Sequence, residues 1–468
     1  MTAAPAVSVV PADLDRWLTA NDQRGMDDLF AFLRIPSVSA RSEHNADTAR
    51  AAAWLNDSLT RIGFRSEVLP TPGHPVVLAE WRKAPKGAPT ILIYGHYDVQ
   101  PAEPLELWTS PAFEPTIRND KLFARGSVDD KGQLWVHVMA LAAHLGARGT
   151  LPVNVIVLAE GEEEVGSANL APFVQKHAGR LACDAVVISD SAMFAPGIPS
   201  ILSSLRGLAY FDVTVRGPSS DLHSGMYGGA VVNPAMALAR ALATLHDTRG
   251  RVAIKGFYDR VRPFPAAVLK GMKKLPHNDA RFRKELGVRA LGGEAGKTTL
   301  EKLWTRPTCE INGLLSGYTG EGAKTVLPAE AMAKVSFRLV PDQHPDVIER
   351  LFKSHLMRLL PASSGVTVSV KALHGGRPWR ADLDGPVYDA ARVALKAAFG
   401  REPVIVGEGG SIPVVGDFER ILGAPVLLVG FGLPDENAHA PNEWIGVDNL
   451  RRGMRAMAML YDELRPPA

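Results

Sequence analysis

Ile91-Leu92-Ile93-Tyr94-Gly95-His96-Tyr97-Asp98 is an apolar run that ends in His-x-Asp. Four apolar residues in succession read as a strand buried on both faces, the kind found in sheets covered by helices. The surrounding chain repeats the pattern. Residues 76–81, 153–159 and 185–189 are further buried runs, and 131–145 reads as a helix closed by Gly146 and Gly149. Alternation of strand and helix predicts an α/β domain, a mixed sheet flanked by helices, with ligands gathered at the carboxyl ends of the strands. His96, Glu164 and Asp190 each lie just past such an end.

The rhythm changes after residue 203. Residues 208–215 alternate as a half-buried strand, and 233–245 reads as a helix with Pro234 in its first turn. Strands at 331–340 and 366–370 flank a helix at 345–359. These predict an inserted α+β module over residues 204–378, within a catalytic domain built from 1–203 and 379–468. The α/β pattern resumes from Trp379, with helices at 385–399 and 448–464 and strands at 404–406 and 425–429. His439 lies in this last part, so the final ninety residues must return to the first domain if His439 is to meet the others. Residues 257–303, rich in Lys and Arg, read as a solvated helical excursion rather than a binding patch.

Composition bounds the function. A chain of 468 residues holds more than one core. Lys plus Arg exceed Asp plus Glu by only 52 − 50 = 2, which gives no reason to expect nucleic acid or an anionic membrane as partner. The two cysteines, Cys183 and Cys309, are far apart and outside any CxxC pair, as expected in a reducing compartment. The apolar stretch at 2–11 has no basic residue before it and Asp13 and Asp15 just after it, unlike a secretory leader. No apolar run approaches the roughly 18 residues of a membrane span. A cytoplasmic protein is expected.

Three motifs carry chemistry. In His96-Tyr97-Asp98, residues two apart on an extended chain point the same way, so Asp98 can support the His96 imidazole. A lone strand-end His would be an ordinary core residue; its neighbours change the balance. Gly126-Ser127-Val128-Asp129-Asp130-Lys131-Gly132 precedes the helix at 131–145, and either Asp would serve as its cap. Two adjacent Asp exceed what capping needs, and a carboxylate spanning two metals accounts for the first. In Glu160-Gly161-Glu162-Glu163-Glu164-Val165-Gly166-Ser167, four carboxylates repel one another unless cations neutralise them. One Glu then ligates a metal and its neighbour acts as general base. With Asp190 and His439, each unremarkable alone, the set supplies one bridging carboxylate plus one carboxylate and one His per metal. That composition fixes metal-assisted hydrolysis as the reaction class.

Together these motifs resemble the carnosinase-like nonspecific dipeptidases of the dinuclear zinc aminoacylase and carboxypeptidase superfamily. The resemblance covers nearly the whole chain and is most specific at 94–101, 126–132, 163–167 and 221–229. It implies two Zn²⁺ per subunit, or Mn²⁺, with His96 and Asp190 on one, Glu164 and His439 on the other, and Asp129 bridging. It implies a cis peptide between Asp129 and Asp130, support of His96 by Asp98, and Glu163 as the base. The preceding Glu162 leaves a one-residue shift open. In the inserted module, Asp221-Leu222-His223-Ser224-Gly225 resembles a lid motif whose His reaches the partner subunit's site in a homodimer, making His223 an oxyanion stabiliser. The segments around Thr325 and Arg338 also match the lid, with Arg338 clamping a substrate carboxylate. Gly407-Glu408-Gly409-Gly410-Ser411 resembles a substrate loop, in which Gly410 and Ser411 bind the carboxylate and Glu408 meets a free amine. His374 is a weaker substrate-binding candidate. The expected activity is hydrolysis of dipeptides or short peptides with a free C-terminal carboxylate. The nearest rival is an N-acyl-amino-acid amidohydrolase using the same metals. A binding protein without catalysis should lack a ligand or the base, and a metal store has no use for the base.

Overall fold

The computed structural model describes residues 9–410 and 412–466, apart from the side chains of His374 and Pro413. They form two compact units: residues 9–203, 381–406 and 414–466, and residues 204–380 with 407–410 and 412–413. In the first, strands run in the order Arg65–Leu69, Val76–Trp81, Asn154–Glu160, Thr90–His96, Ala185–Ile188, Val426–Leu428 and Ser200–Leu205, the last crossing the unit boundary. Asn154–Glu160, Thr90–His96, Ala185–Ile188 and Val426–Leu428 are mutually parallel, and the strands outside them pair antiparallel, so the sheet is mixed. The register sets His96 opposite Glu160 and Tyr94 opposite both Leu158 and Ile188. Three chain segments bearing acidic or His residues therefore leave the sheet at the same end.

Helix Lys131–Arg148 is buried over residues 131–144 and packs on Thr90–His96, on Val447–Glu463 and on the N-terminal helices Ala12–Ala20 and Asp22–Leu33. An apolar sequence of good helix formers explains it, and Gly149 at φ 70° closes it. Gly146 does not end the helix, contrary to expectation. Its missing side chain makes room for the Trp17 indole, whose Nε1 lies 2.1 Å from where a Cβ would sit. Gly146 is a packing glycine.

The second unit has a four-stranded antiparallel sheet in the order Thr308–Ser316, Glu330–Leu339, Gly207–Arg216, Thr367–Gly376. Gly207–Arg216 alternates buried and half-buried positions, as its sequence period predicts. Helices Pro234–Ala243 and Pro345–Leu359 cover the sheet, and Phe211, Phe337 and Phe352 meet at centroid distances of 5.1–5.9 Å in the core. Asn233 caps the first of these helices by accepting from the N–H groups of Ala235 and Met236. The Lys- and Arg-rich stretch contains the short helices Ala266–Met272, Asp279–Glu285 and Thr299–Thr305.

His137, on the buried helix, is held on both ring nitrogens, by the Tyr461 hydroxyl and the Ser189 hydroxyl, each at 2.7 Å. Burial pushes it down to about 3, so the native state leaves it neutral. Between that value and the ordinary 6.5 the unfolded chain binds the extra proton, so stability falls as pH drops through this window. We expect His137→Gln to remove up to about 3 kcal/mol of the stability lost between pH 6.5 and 4. Urea unfolding of both proteins at the two pH values, in one metal state, measures it.

Candidate metal centre

Each residue of the centre is placed by the element that ends beside it. His96 closes its strand and is fully buried. Its Nδ1 is 3.1 Å from the Asp98 main-chain carbonyl and 3.4 Å from Asp98 Oδ1, so the backbone holds the ring more closely than the carboxylate does. The Asp98 carboxylate is chiefly occupied elsewhere. Its Oδ1 accepts from the Glu163 N–H at 3.3 Å, and its Oδ2 from the Glu164 N–H at 3.1 Å and the Ser39 hydroxyl at 2.6 Å. Asp98 thereby ties the His96 strand to the acidic turn at Glu163–Val165.

Asp129 stands between two imidazoles. Its Oδ1 is 3.1 Å from His96 Nε2 and its Oδ2 is 2.9 Å from His439 Nε2. Asp190, two residues beyond its strand, brings Oδ2 to 3.9 Å from His96 Nε2. Glu164 Oε2 lies 3.2 Å from His439 Nε2 and accepts from Gln100 Nε2 at 2.7 Å. Two overlapping groups result among the described residues, His96–Asp129–Asp190 and Asp129–Glu164–His439, each with its ligand atoms within 4.8 Å of one another. Asp129 belongs to both. All five ligand candidates from the sequence are brought together.

The peptide between Asp129 and Asp130 is cis. Asp130 occupies the cap position of the following helix yet makes no side-chain cap bond; its Oδ2 accepts from the His96 N–H at 3.2 Å instead. Capping explains neither aspartate.

The charges are distributed unevenly. Although burial opposes it, the Asp129 carboxyl is held well below the carboxylate range by His439 and His96. Burial and the Asp129 charge raise Asp190 to about 7. Burial pushes Glu163 well up, Asp190, Glu164 and Asp129 acting the same way against His96. The flanking carboxylates raise His439 to about 10. His96 Nε2 and Glu164 Oε1 are buried and satisfied by no hydrogen bond. Mixed imidazole and carboxylate donors, with an orphaned buried nitrogen aimed among carboxylates, fit divalent zinc or manganese.

Glu162 and Glu163 part company at the turn. Glu162 Oε2 accepts from Asn169 Nδ2 at 2.8 Å, and its Oε1 lies 1.7 Å from where a Cβ on Gly73 would sit. Asp190, Glu164 and Asp129 act on the Glu163 carboxyl and help to raise it. Residues that sequence reading missed include Ser39 and Gln100; Glu160, read there only as one of four crowded carboxylates, accepts from Tyr94 at 2.6 Å and Ser167 at 2.8 Å. These are polar residues in loops or at a strand end, where no periodicity flags them.

In the second unit, Leu222–His223 pairs with Val326–Leu327, and the Ser224 N–H donates to the Thr325 carbonyl at 3.1 Å, so His223 and Thr325 are neighbours. The exposed His223 ring is fixed by the Gly225 N–H, which donates to its Nδ1 at 3.1 Å. Arg338 lies half-buried opposite Leu208, and burial lowers its guanidinium. Arg206, also missed, is lowered to about 10 by burial and by the charge of Arg338, and its Nε donates to the Gly409 carbonyl at 3.1 Å. Glu408 Oε1 accepts from the N–H groups of Gly409 at 2.7 Å and Gly410 at 3.2 Å. His374 falls on the strand Thr367–Gly376. Ser411 lies outside the described residues.

A mixed-sheet α/β unit with these donor groups at the ends of its parallel strands defines a metal-dependent hydrolase. The sequence profile of peptidase family M20/M25/M40 matches residues 92–463, and the chain belongs to that family. It is a metallopeptidase, as the motif resemblance implied. It is 33% identical to the Cys-Gly metallodipeptidase of Schizosaccharomyces pombe, over 92% of this chain and 93% of that one. Among solved structures, an M20 family metallo-carboxypeptidase from Sulfolobus solfataricus matches with TM-score 0.85 at 35% identity, covering 94% of this chain and 99% of that one. Human carnosine dipeptidase 1 matches with TM-score 0.82 at 29% identity, covering 97% and 98%.

We expect chelator-treated protein to gain thermal stability when Zn²⁺ or Mn²⁺ is returned, because cations relieve the crowding of carboxylates. In Asp129→Asn, which loses the charge both groups share, that gain should nearly vanish; scanning calorimetry with and without metal tests this.

Proposed function

We propose that the protein is a metal-dependent dipeptidase that hydrolyses dipeptides or other short peptides with a free C-terminal carboxylate. The observation that carries the reading is Asp129, one oxygen toward each histidine, with Glu163, whose carboxyl burial pushes up, beside the same cluster. His96 and Asp190 would hold one divalent cation, Glu164 and His439 a second, and Asp129 both. Zinc and manganese suit these donors alike. Such a pair supplies positive charge that polarises the scissile carbonyl and acidifies the attacking water. Glu163 accepts the proton of that water and returns it to the leaving amine, a transfer suited to a carboxylate whose environment favours the protonated form. Asp98 sets both the His96 ring and the turn carrying Glu163.

The second unit supplies substrate recognition in this reading. His223, steadied by the Gly225 amide, stabilises the developing oxyanion of a partner subunit, so the working form is a homodimer. Ile311, Leu314 and Leu315 on the edge strand Thr308–Ser316 are exposed and apolar, which supports pairing with a second copy. Arg338, with Arg206 adding positive charge, binds the C-terminal carboxylate, and Thr325, Gly410, Ser411 and His374 complete that pocket. Glu408 meets the free α-ammonium. The names of the relatives in S. pombe and human, a Cys-Gly metallodipeptidase and a carnosine dipeptidase, support dipeptides as substrates. The Sulfolobus metallo-carboxypeptidase supports a second reading, removal of C-terminal residues from longer peptides. The described residues contain no helix long and apolar enough to cross a membrane, and we take the cytoplasm as the site of action.

Amino-acid release from a panel of dipeptides, longer peptides and N-acetyl amino acids, with metal-stripped and reloaded protein, tests the reading. Dipeptides should be cleaved in preference, and only after reloading. Preference for acetylated substrates would move the activity to deacylation. Glu163→Gln should keep its metal content and lose about 10²–10⁴-fold in kcat; full activity in that variant would move the base to another residue.

A further inference from the structure

One buried ion pair beside the centre belongs to neither ligand group. Arg125 and Glu443 are 1% and 0% exposed at their side chains, and Arg125 Nη1 donates to Glu443 Oε2 at 2.7 Å. Glu443 is four residues beyond His439, and Arg125 four before Asp129. The Glu443 carboxylate is used in full. Its Oε2 also accepts from the Gly126 N–H at 3.0 Å, and its Oε1 from the N–H groups of Val128 at 2.9 Å and Asp129 at 3.1 Å. Arg125 Nη2 reaches the Pro101 carbonyl at 3.2 Å and the Ala440 carbonyl at 3.4 Å, and the Ala124 N–H donates to the Glu443 carbonyl at 3.2 Å. The pair thus joins the chain just past Asp98, the loop carrying Asp129 and the loop carrying His439.

Burying two opposite charges recovers little stability, because their desolvation offsets their attraction. Geometry is what this pair secures. His96 and Asp190 stand at or just past parallel strands whose register fixes them. Asp129 and His439 stand on irregular chain, His439 at φ 62°, with no sheet ladder to hold them. A carboxylate that hydrogen-bonds the Asp129 amide itself, and a guanidinium on the carbonyl next to His439, fix those two residues against each other.

We propose that Arg125 and Glu443 are positioning residues that set the separation of Asp129 and His439, and so the affinity of the Asp129–Glu164–His439 group for its divalent cation. The proposal rests on the dinuclear reading above. The fork of Arg125 spans three acceptors on two loops, which a lysine cannot do. Glu443→Gln would set an amide NH₂ against backbone donors and leave a buried guanidinium without its counter-charge.

The test is Zn²⁺ binding to the metal-stripped full chain, followed by competition with a chromophoric chelator. Wild type, Glu443→Gln, Arg125→Lys and, as a remote control, Arg148→Met are compared. Co²⁺ absorption spectra of the loaded proteins provide a second readout. Wild type should bind two ions. In Glu443→Gln and Arg125→Lys one ion should bind with near wild-type affinity and the other about 10–100-fold more weakly, the range for residues that orient ligands. The Co²⁺ spectrum should lose the contribution of one site. Arg148→Met, which breaks contacts to Asp13 and Asp462, should lower thermal stability without altering either affinity. Unchanged affinities in folded variants, or equal weakening at both sites, would overturn the proposal. So would unfolding of both variants with metal present, since the role would then be structural. Fewer than two ions on wild type would instead overturn the dinuclear reading, and the proposal with it.

Discussion

The structure of the first unit is governed by a concentration of negative charge at one end of the parallel strands of its sheet. Asp98, Asp129, Asp130, Glu160, Glu163, Glu164 and Asp190 stand there, with His96 and His439 as the imidazoles set among them. In a buried setting such a set cannot all ionise. The protein's response is visible in the direction of each shift: Asp129, flanked by two imidazoles, is held low, while burial raises Glu160 and Asp190 to about 7 and also raises Glu163. Much of the surrounding hydrogen bonding serves to hold these groups despite their repulsion. Asp98 takes two amides of the acidic turn, Gln100 takes Glu164, and Tyr94 and Ser167 take Glu160.

Much of this was legible in the sequence, for a definite reason. A buried strand leaves a continuous apolar signature, and a ligand just beyond it is an abrupt polar residue after that run. His96, Glu164 and Asp190 were located that way. The strand Gly207–Arg216 was legible because it faces the core on one side only, which imposes a period of two. The line between Glu162 and Glu163 was not legible, since both sit in one acidic run and only the turn sends one toward Gly73 and Asn169. The extent of the buried helix was misread at Gly146, where close approach of Trp17 rather than termination calls for glycine. Arg125 and Gln100 escaped notice because a single polar residue in irregular chain carries no pattern; only its partners, hundreds or tens of residues away, give it meaning.

The two units differ in how they hold chemically interesting residues. In the first, residues converge from separate elements and are buried. In the second, His223 and Thr325 are brought together by a two-stranded ribbon, with the His223 ring exposed. The phenylalanine core of Phe211, Phe337 and Phe352 underlies the separate four-stranded sheet of the same unit. Side chains on a short ribbon with few buried contacts belong to the easily rearranged part of a protein, whereas a buried, hydrogen-bonded cluster belongs to its less deformable part.

The order of the sheet also bears on how the protein is made. Val426–Leu428 lies between Ala185–Ile188 and Ser200–Leu205, strands synthesised more than two hundred residues earlier. Until that late segment leaves the ribosome, Ala185–Ile188 is an open sheet edge, and the acidic cluster has neither His439 nor the Glu443 carboxylate that braces it. A nascent chain must therefore carry an exposed apolar edge beside a patch of unbalanced charge until that segment is made. Both features invite misassociation, and both disappear together when residues 426–443 dock. Production in the cell is thus expected to depend on chaperone capacity more than the ordinary size of the chain would suggest.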